Sequence, residues 1–206
     1  MARTPPLEDI LSSMQSTKAP EFRLDRPLPS ALAAIRAVLF SPRTFYANFP
    51  ADGPLKEPVL FVLLVGTFTG VLGAVVALVS NVVGGGVGAD DLRAAVVEGL
   101  LFALLSPVGV AVAAGIYLLS IRTFIGTVSD LSQAYRIVAY AYAAFVFAWI
   151  PVLGSIAISY ALLVLMGIAI KEIYETSFLT AVITALVGFV PVGSALVWVT
   201  AVALTS

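Results

Sequence analysis

Long apolar runs, separated by short polar stretches, make up most of the chain after its first quarter. A helix needs roughly 20 residues to cross about 30 Å of hydrocarbon. The apolar runs therefore predict a membrane domain over residues 58–206 that contains five transmembrane helices. Their predicted bounds are residues 59–83, 99–121, 131–150, 152–170 and 178–204. The predicted fold class is an all-α integral membrane protein.

The third and fourth of these helices come from one run, Ile137 to Ile170, that holds 34 residues without a charge. As a single helix it would be about 51 Å long, which no bilayer accommodates without extreme tilt. Pro151 and Gly154 lie near its middle, in Ile-Pro-Val-Leu-Gly-Ser, and predict a tight turn between two spans. The first arm reaches full length if its helix begins after Asp130, which can serve as the N-cap.

Two further prolines, Pro107 and Pro191, lie inside runs of single-span length. A proline in a transmembrane helix removes one backbone hydrogen bond, and a nearby group such as Ser106 can satisfy the freed carbonyl. We therefore interpret Pro107 as a mid-helix kink. At Pro191 two interpretations stay open: a kinked single helix, or a re-entrant hairpin that would return the C-terminus to the inside. We favour the kink, because each hairpin arm would have only about 13 residues.

The polar first quarter of the chain divides into two parts. Residues 1–29 are rich in Pro, Ser, Glu and Lys, and such a composition predicts a flexible tail. Residues 30–57 contain apolar residues at helical spacing and predict two short amphipathic helices, the first capped by Ser30 and the second by Ser41. These helices either lie in the membrane interface or pack on the protein's own membrane domain, and the two arrangements are compatible.

The composition is typical of a membrane protein and argues against several kinds of catalytic and metal site. Hydrophobic residues make up 60% of the chain and charged residues only 11%, whereas soluble domains carry about 25% charged residues. The chain has no cysteine and no histidine, which argues against thiolate and Ser-His catalysis, zinc sites and haem ligation by histidine. The net charge of −1 gives no reason to expect nucleic-acid binding. We therefore expect a protein that is not an enzyme and that has no cofactor or metal.

Lysine and arginine are distributed unequally between the loops. Ten of the eleven lie in the N-terminal region or near those ends of the predicted spans that face the same side of the membrane as the N-terminus. Only Arg93 lies on the opposite side, in the first loop. The positive-inside rule then places the N-terminus in the cytoplasm and the C-terminus outside.

Four residues are candidate partner or ion contacts: Glu98, Arg122, Arg136 and Tyr140. For Glu98 two interpretations stay open, a structural role at the helix end or a place on a proton or ion pathway. Arg136 lies within reach of the lipid headgroups, and we expect its long side chain to extend toward them.

Gly66 and Gly70 form a Gly-x-x-x-Gly motif in the first predicted span. Small residues at this spacing let two helix backbones approach closely. The motif serves either packing within the monomer or a dimer interface, and we favour packing within the monomer.

Several stretches of the chain together resemble a known membrane-protein family. They are LFSPRTFYANF, GPLKEPVLFVLLVG, DLSQAYRIVAYAYAAFVFAWIPVLGSIAISYALLVLMGIAI and ETSFLTAVITALVGFV. They resemble the Yip (Ypt-interacting protein) domain family in its prokaryotic form over roughly residues 34–190, most specifically at Tyr140, Pro151 and Gly154. The resemblance implies a five-span protein with a cytoplasmic N-terminus, in a prokaryotic cytoplasmic membrane.

Eukaryotic members of that family bind Rab-type GTPases and act in vesicle budding and membrane shaping. Asp-Gly-Pro-Leu, at residues 52–55, is loosely similar to their Asp-Leu-Tyr-Gly-Pro motif, but the tyrosine is missing. The resemblance therefore implies the architecture, while prokaryotic members look like proteins of no settled activity.

Two functions fit these observations. The first is a non-enzymatic scaffold that organises the membrane or binds a partner, with the lipid bilayer, a membrane protein or a second copy of the chain as partner. The alternative is a small-solute or lipid transporter or channel, or an accessory subunit of one. A continuous polar cavity lined by Ser106, Tyr117 or Tyr160 would favour transport, and a packed apolar interior would favour the scaffold.

Overall fold

The computed structural model describes residues 18–126 and 129–205, with side chains up to residue 195. These residues form helices and no strand. In chain order the helices are α1 Pro27–Phe40, α2 Pro42–Ala47, α3 Lys56–Gly84, α4 Ala89–Phe124, α5 Leu131–Ala141, α6 Leu153–Ile173 and α7 Phe178–Thr205. A 3-10 segment, Tyr142–Phe147, continues α5, and a π-helical segment, Tyr160–Leu165, lies inside α6.

Four of the helices are long and apolar enough to cross a membrane: α3, α4, α6 and the part of α7 from Phe178 to Ala195. The all-α membrane fold is thereby confirmed. The remaining predicted span is α5 with its 3-10 continuation, which has 11 and six residues in the two segments. Because a 3-10 helix rises about 2.0 Å per residue and an α-helix 1.5 Å, this arm is about 28 Å long. The count of five spans stays a prediction.

Helices α3 and α4 make the most extensive contact between any two helices of the described residues. A side chain at Gly66 would lie 2.6 Å from the Ser106 hydroxyl, and one at Gly70 would strike the carbonyl of Gly99. The small residues therefore serve packing within the monomer, and they let the two backbones touch.

Helix α4 begins ten residues earlier than the predicted span that starts at Gly99, and it has 36 residues. Asp90 and Asp91, which precede the predicted span, lie in the first turn of α4. Negative charge is favourable there because of the helix dipole. The Asp91 carboxylate also accepts a hydrogen bond of 2.8 Å from the amide of Gly88. The helix therefore starts at these two acidic residues, before the uncharged run begins.

Helices α5 and α6 are antiparallel arms of a hairpin that turns at Pro151. Val152 adopts a left-handed conformation with φ of 65°. A side chain at Gly154 would strike the carbonyl of Ala148, so glycine permits the arms to approach. Gly154 also donates a hydrogen bond of 2.7 Å to the carbonyl of Ile150.

Neighbouring helices satisfy carbonyls in the irregular segments of this hairpin. The Thr69 hydroxyl on α3 donates to the Phe145 carbonyl in the 3-10 segment at 2.8 Å. The Tyr117 hydroxyl on α4 donates to the Leu162 carbonyl in the π segment. Carbonyls outside regular α-helical bonding need such partners in a membrane domain.

Pro107 and Pro191 both lie inside continuous helices, α4 and α7. The described backbone therefore follows the single-helix path at Pro191 and not the re-entrant one. Close to Pro191, Gly188 faces the ring of Tyr117, where a side chain would lie 2.5 Å from the ring carbons.

The sequence predicts some helix ends correctly and others not. Asp130 caps α5 by accepting a bond of 2.7 Å from the Gln133 amide, so this predicted cap is confirmed. Ser177 accepts a bond of 3.1 Å from the Thr180 amide in the same way, and Ser41 lies at the N-cap position of α2 without a side-chain cap bond. The prediction that Ser30 caps the first helix is wrong. The helix starts at Pro27, a residue whose fixed φ suits a first turn.

Helix α1 has two apolar faces. Ala31, Ala34 and Val38 are buried against the rest of the protein, whereas Leu28 and Leu32 are exposed. The helix therefore packs on its own membrane domain and still presents an apolar surface outward.

Candidate functional site

The candidate site surrounds two residues of α5 that lie one helical turn apart, Arg136 and Tyr140. Arg136 is only 3% exposed and Tyr140 is fully buried. We expected Arg136 to extend toward the lipid headgroups, and this prediction is wrong. The protein's own N-terminal region covers the side chain.

The Arg136 guanidinium is held by two carbonyls, one carboxylate and one ring. Its Nη1 donates to the Pro54 carbonyl at 2.9 Å, and its Nη2 donates to the Pro50 carbonyl at 3.0 Å. Nη2 also forms an ion pair with the Glu21 carboxylate. The guanidinium carbon lies 5.6 Å from the centre of the Phe49 ring, a cation–π distance. These contacts offset the high free-energy cost of burying a charge.

One donor of this guanidinium stays unused. Arg136 Nε is buried and has no acceptor among the residues that the structure describes. Because the planar guanidinium presents its donors as a fork, it can bind a carboxylate through two atoms at once. The side chain therefore has capacity beyond the single Glu21 contact.

Gly53 shapes the segment that delivers the two carbonyls. Its φ is +149°, and a side chain there would lie 2.9 Å from Arg136 Nη1. Glycine tolerates such a backbone and leaves room for the guanidinium. The segment before α3 therefore packs closely against the Arg136 guanidinium.

Residues 18–23, which we call the strap, lie across this site without forming a helix. Phe22 is 2% exposed, and its amide donates to the Tyr140 hydroxyl at 3.0 Å. The amide of Ala19 donates to the carbonyl of Asn48 at 3.2 Å. The predicted flexible tail of residues 1–29 is therefore corrected over this part, which packs on the domain. One signal was available in the sequence, because Phe22 is the first aromatic residue of the chain and stands alone in a polar stretch.

Phe22 joins a cluster of aromatic rings whose centre is Tyr140. The Tyr140 ring centre lies 5.5 Å from that of Phe45, 5.2 Å from that of Phe49 and 5.1 Å from that of Phe61, and Phe22 lies 6.0 Å from Phe61. Aromatic pairs at such distances contribute about 0.5–1.5 kcal/mol each beyond the burial of their surface. The cluster forms the apolar wall of the site.

Ser30 fixes the turn between the strap and α1. Its hydroxyl oxygen accepts from the Arg23 amide at 2.9 Å and donates to the Arg26 carbonyl at 2.7 Å. Ser30 lies in the first turn of α1 and not before it, so its side chain closes the preceding turn. These bonds link the end of the strap to the first turn of α1.

The free energy that holds the strap is modest. Burying a phenylalanine side chain stabilises by roughly 1.5–3 kcal/mol, and ordering one residue costs about 1–2 kcal/mol. Burial raises the pKa of the Glu21 carboxyl above its ordinary value, and the nearby Arg136 charge opposes that shift. The cost of ordering six residues is of the same order as the combined gain from burial of Phe22, the ion pair and the hydrogen bonds of the strap.

A cleft of about 1030 Å³ opens beside the strap, between α1 and the start of α3. Its walls carry the charged side chains of Lys18, Glu21, Arg23, Arg26 and Glu57. The ion pair of Arg23 with Asp25, at 3.1 Å, is also exposed at this end. Water and polar ligands thus have access to one edge of the strap.

The structure does not bring the other two sequence candidates to this site. The side chain of Glu98 is exposed on α4, next to the Gly99 that packs on Gly70. Arg122 is also exposed, and it donates to the carbonyl of Ser129 at 3.2 and 2.7 Å. Of the four predicted contacts, Arg136 and Tyr140 alone share a site.

The polar residues considered for a transport cavity lie elsewhere. Ser106 is buried and shares a hydrogen bond of 2.8 Å with the Tyr142 hydroxyl, and Tyr117 is fully buried. Tyr160 lines an apolar groove of about 440 Å³ on α6, together with Ser155, Ser159 and Leu163. Within residues 18–126 and 129–205, no group of three or more acidic side chains is placed to hold a metal ion.

Comparison with models of known protein families identifies a related family. The family model of the Yip1 domain matches residues 36–200. No curated protein and no solved structure matches the chain. The matched range includes Arg136 and Tyr140 and begins after the strap.

Proposed function

Since the chain belongs to the Yip1 domain family, we propose that it is a non-enzymatic membrane scaffold that binds a partner at the end of its helical bundle. The partner is a membrane protein or a second copy of the chain, and the bilayer is its medium. The scaffold role is the function that the geometry of the Arg136 site supports best.

The observation that carries this proposal is how the site holds the strap. The domain provides a partner for each recognition group of the strap. These groups are one charge, one aromatic side chain and two main-chain amides. Such a combination of a few placed polar groups and an apolar wall is typical of peptide recognition.

The alternative of transport has less support. Ser106 and Tyr117 make internal hydrogen bonds, and the groove beside Tyr160 is apolar. A pathway for a polar solute needs polar groups that face a continuous opening. We therefore place the scaffold first and transport second.

We propose a topology of five crossings in a prokaryotic cytoplasmic membrane, with the strap in the cytoplasm and the C-terminus outside. The length of about 28 Å for α5 with its 3-10 segment supports a fifth crossing. The unequal distribution of lysine and arginine supports the orientation. The exposed Leu28 and Leu32 of α1 support contact of that helix with the membrane interface.

Affinity purification of the tagged full chain in mild detergent tests the scaffold role. We expect a stoichiometric protein partner or a second copy of the chain with the wild type and with Arg122→Gln, and its loss with Arg136→Gln. Recovery of no stoichiometric protein with the wild type would contradict the proposal. Solute flux into proteoliposomes of the purified chain would favour transport instead.

A further inference from the structure

We propose that the site beneath the strap is a peptide-docking site and that the strap is its exchangeable intramolecular occupant. The partner segment that displaces the strap carries an acidic residue followed by an aromatic one, as Glu21 and Phe22 do. This inference rests on the proposed partner-binding function and specifies the chemistry of the partner.

The domain supplies four recognition groups. Arg136 binds the carboxylate of Glu21 and retains a buried Nε that has no acceptor among the described residues. The aromatic cluster receives the ring of Phe22. The Tyr140 hydroxyl and the Asn48 carbonyl each accept a main-chain amide of the strap. An extended peptide from another chain has the same backbone amides, so it can make the same contacts.

Three observations support exchange. The strap lies before the matched family range of residues 36–200, whereas Arg136, Tyr140 and the rest of the site lie inside it. The cleft of about 1030 Å³ gives access to the edge of the strap. The strap forms no helix, and the free energy gained by its contacts is largely offset by its ordering.

The buried charge of Arg136 determines what can replace the strap. When the strap leaves, Arg136 loses the carboxylate with which it forms its ion pair. A buried charge without its partner is strongly unfavourable. An incoming segment must therefore bring a carboxylate, and the aromatic wall selects a ring beside it.

The test compares three forms of the full chain in lipid nanodiscs: the wild type, the double variant E21Q/F22A and the control L24A/D25N. The probe is a fluorescent peptide with the sequence of residues 16–26, and anisotropy measures its binding. We expect the double variant to bind the peptide at least tenfold more tightly than the wild type, because its own strap competes less. The control changes exposed residues of the segment that follows the strap, and we expect it to behave as the wild type.

Peptide variants test the chemistry of the site. We expect a peptide with Gln in place of Glu21, or Ala in place of Phe22, to bind the double variant at least tenfold more weakly. Thermal unfolding of each nanodisc sample verifies that the variants are folded. A folded double variant that binds the peptide no more tightly than the wild type, or that binds all peptides equally, would overturn the inference.

This result is separable from the test of the proposed function. A cellular partner recovered without any peptide binding would refute the docking site and leave the scaffold role standing. Peptide binding with no cellular partner would support the docking site and contradict the scaffold role.

Discussion

The hydroxyl of Tyr140 accepts a hydrogen bond of 3.0 Å from the main-chain amide of Phe22, a residue 118 positions earlier in the chain. The bond joins the middle of the helical domain to the segment before its first helix. Both residues are buried, and the same tyrosine ring lies at the centre of the aromatic cluster. The phenol group of Tyr140 therefore contributes to the position of the strap both through its hydroxyl and through its ring.

Removal of this hydroxyl by Tyr140→Phe is expected to loosen the strap while the aromatic cluster stays packed. The amide of Phe22 would lose its acceptor, at a cost of about 1 kcal/mol or more, which corresponds to roughly fivefold more open strap. Limited trypsin digestion after Lys18 and Arg23 measures this opening, because cleavage follows the open population. The matched control is Tyr142→Phe, whose hydroxyl bonds to Ser106 and not to the strap. Equal cleavage of both variants would contradict the assigned role of Tyr140.

Arg136→Gln is expected to destabilise the chain more than Glu21→Gln does. The first change removes the donor to three acceptors, whereas the second retains a polar group beside the arginine. Breaking a buried ion pair by removing one partner costs about 3–5 kcal/mol. Thermal unfolding in detergent gives both single effects and that of the double variant.

The double variant measures the coupling of the pair. We expect Arg136→Gln with Glu21→Gln to be less destabilising than the sum of the single changes, because neither charge is left alone. Additive effects would show that the ion pair contributes no coupling. Arg122→Gln is the control, since that arginine is exposed and, among the described residues, donates to the main-chain carbonyl of Ser129.

Gly53→Ala is expected to lower the unfolding temperature through contact with Arg136 as well as through backbone strain. Gly86 offers the matched control, because its φ of +130° is also unfavourable for alanine but no atom lies within 4 Å of the added carbon. Strain alone costs of order 1–3 kcal/mol. A decrease for Gly53→Ala no larger than that for Gly86→Ala would show that the guanidinium moves aside without cost.

Gly70→Ala is expected to separate α3 from α4, because the added carbon would strike the carbonyl of Gly99. Gly73, one turn further along α3, has no atom within 4 Å of an added carbon. We therefore expect Gly73→Ala to be neutral or slightly stabilising, by up to about 1 kcal/mol, through helix propensity. Thermal unfolding of the two variants in the same detergent distinguishes tight packing from propensity, and equal effects would refute the close approach.

The absence of cysteine makes topology directly testable. Single-cysteine variants Asp25→Cys and Ser206→Cys place one thiol before α1 and one after α7. With an odd number of crossings we expect a membrane-impermeant maleimide to label Ser206→Cys in intact cells and Asp25→Cys only after the membrane is opened. Labelling of both on the same side would exclude five crossings.

Much of the fold could be predicted from the sequence because its determinants are local. An uncharged run of 34 residues is too long for one crossing, so its length requires a turn, and Pro151 with Gly154 indicates where the turn lies. Asp130 and Ser177 cap their helices through bonds to residues three positions later. The close approach of helices at Gly66 and Gly70 is likewise visible in the sequence, as the Gly-x-x-x-Gly spacing.

The site could be predicted only in part because its contacts join distant residues. Arg136 meets Glu21 across 115 positions, and no local pattern distinguishes a covered arginine from one that extends to lipid. The 3-10 and π segments depend on Thr69 and Tyr117, which other helices supply. The sequence does not reveal the earlier start of α4, because the predicted span begins at the uncharged run, whereas acidic residues also favour a first helical turn.

The distance between strap and site along the chain also sets an order in time. Glu21 leaves the ribosome 115 residues before Arg136. At a synthesis rate of about 5–20 residues per second, the interval is roughly 6–23 s. Throughout this interval Arg136 and Tyr140 have not been synthesised, so the strap has no site to occupy. Helices α3 and α4 are already complete at that stage. Closure of the strap is therefore a late event in biogenesis. It takes place only in chains in which α5 has reached its position in the bundle.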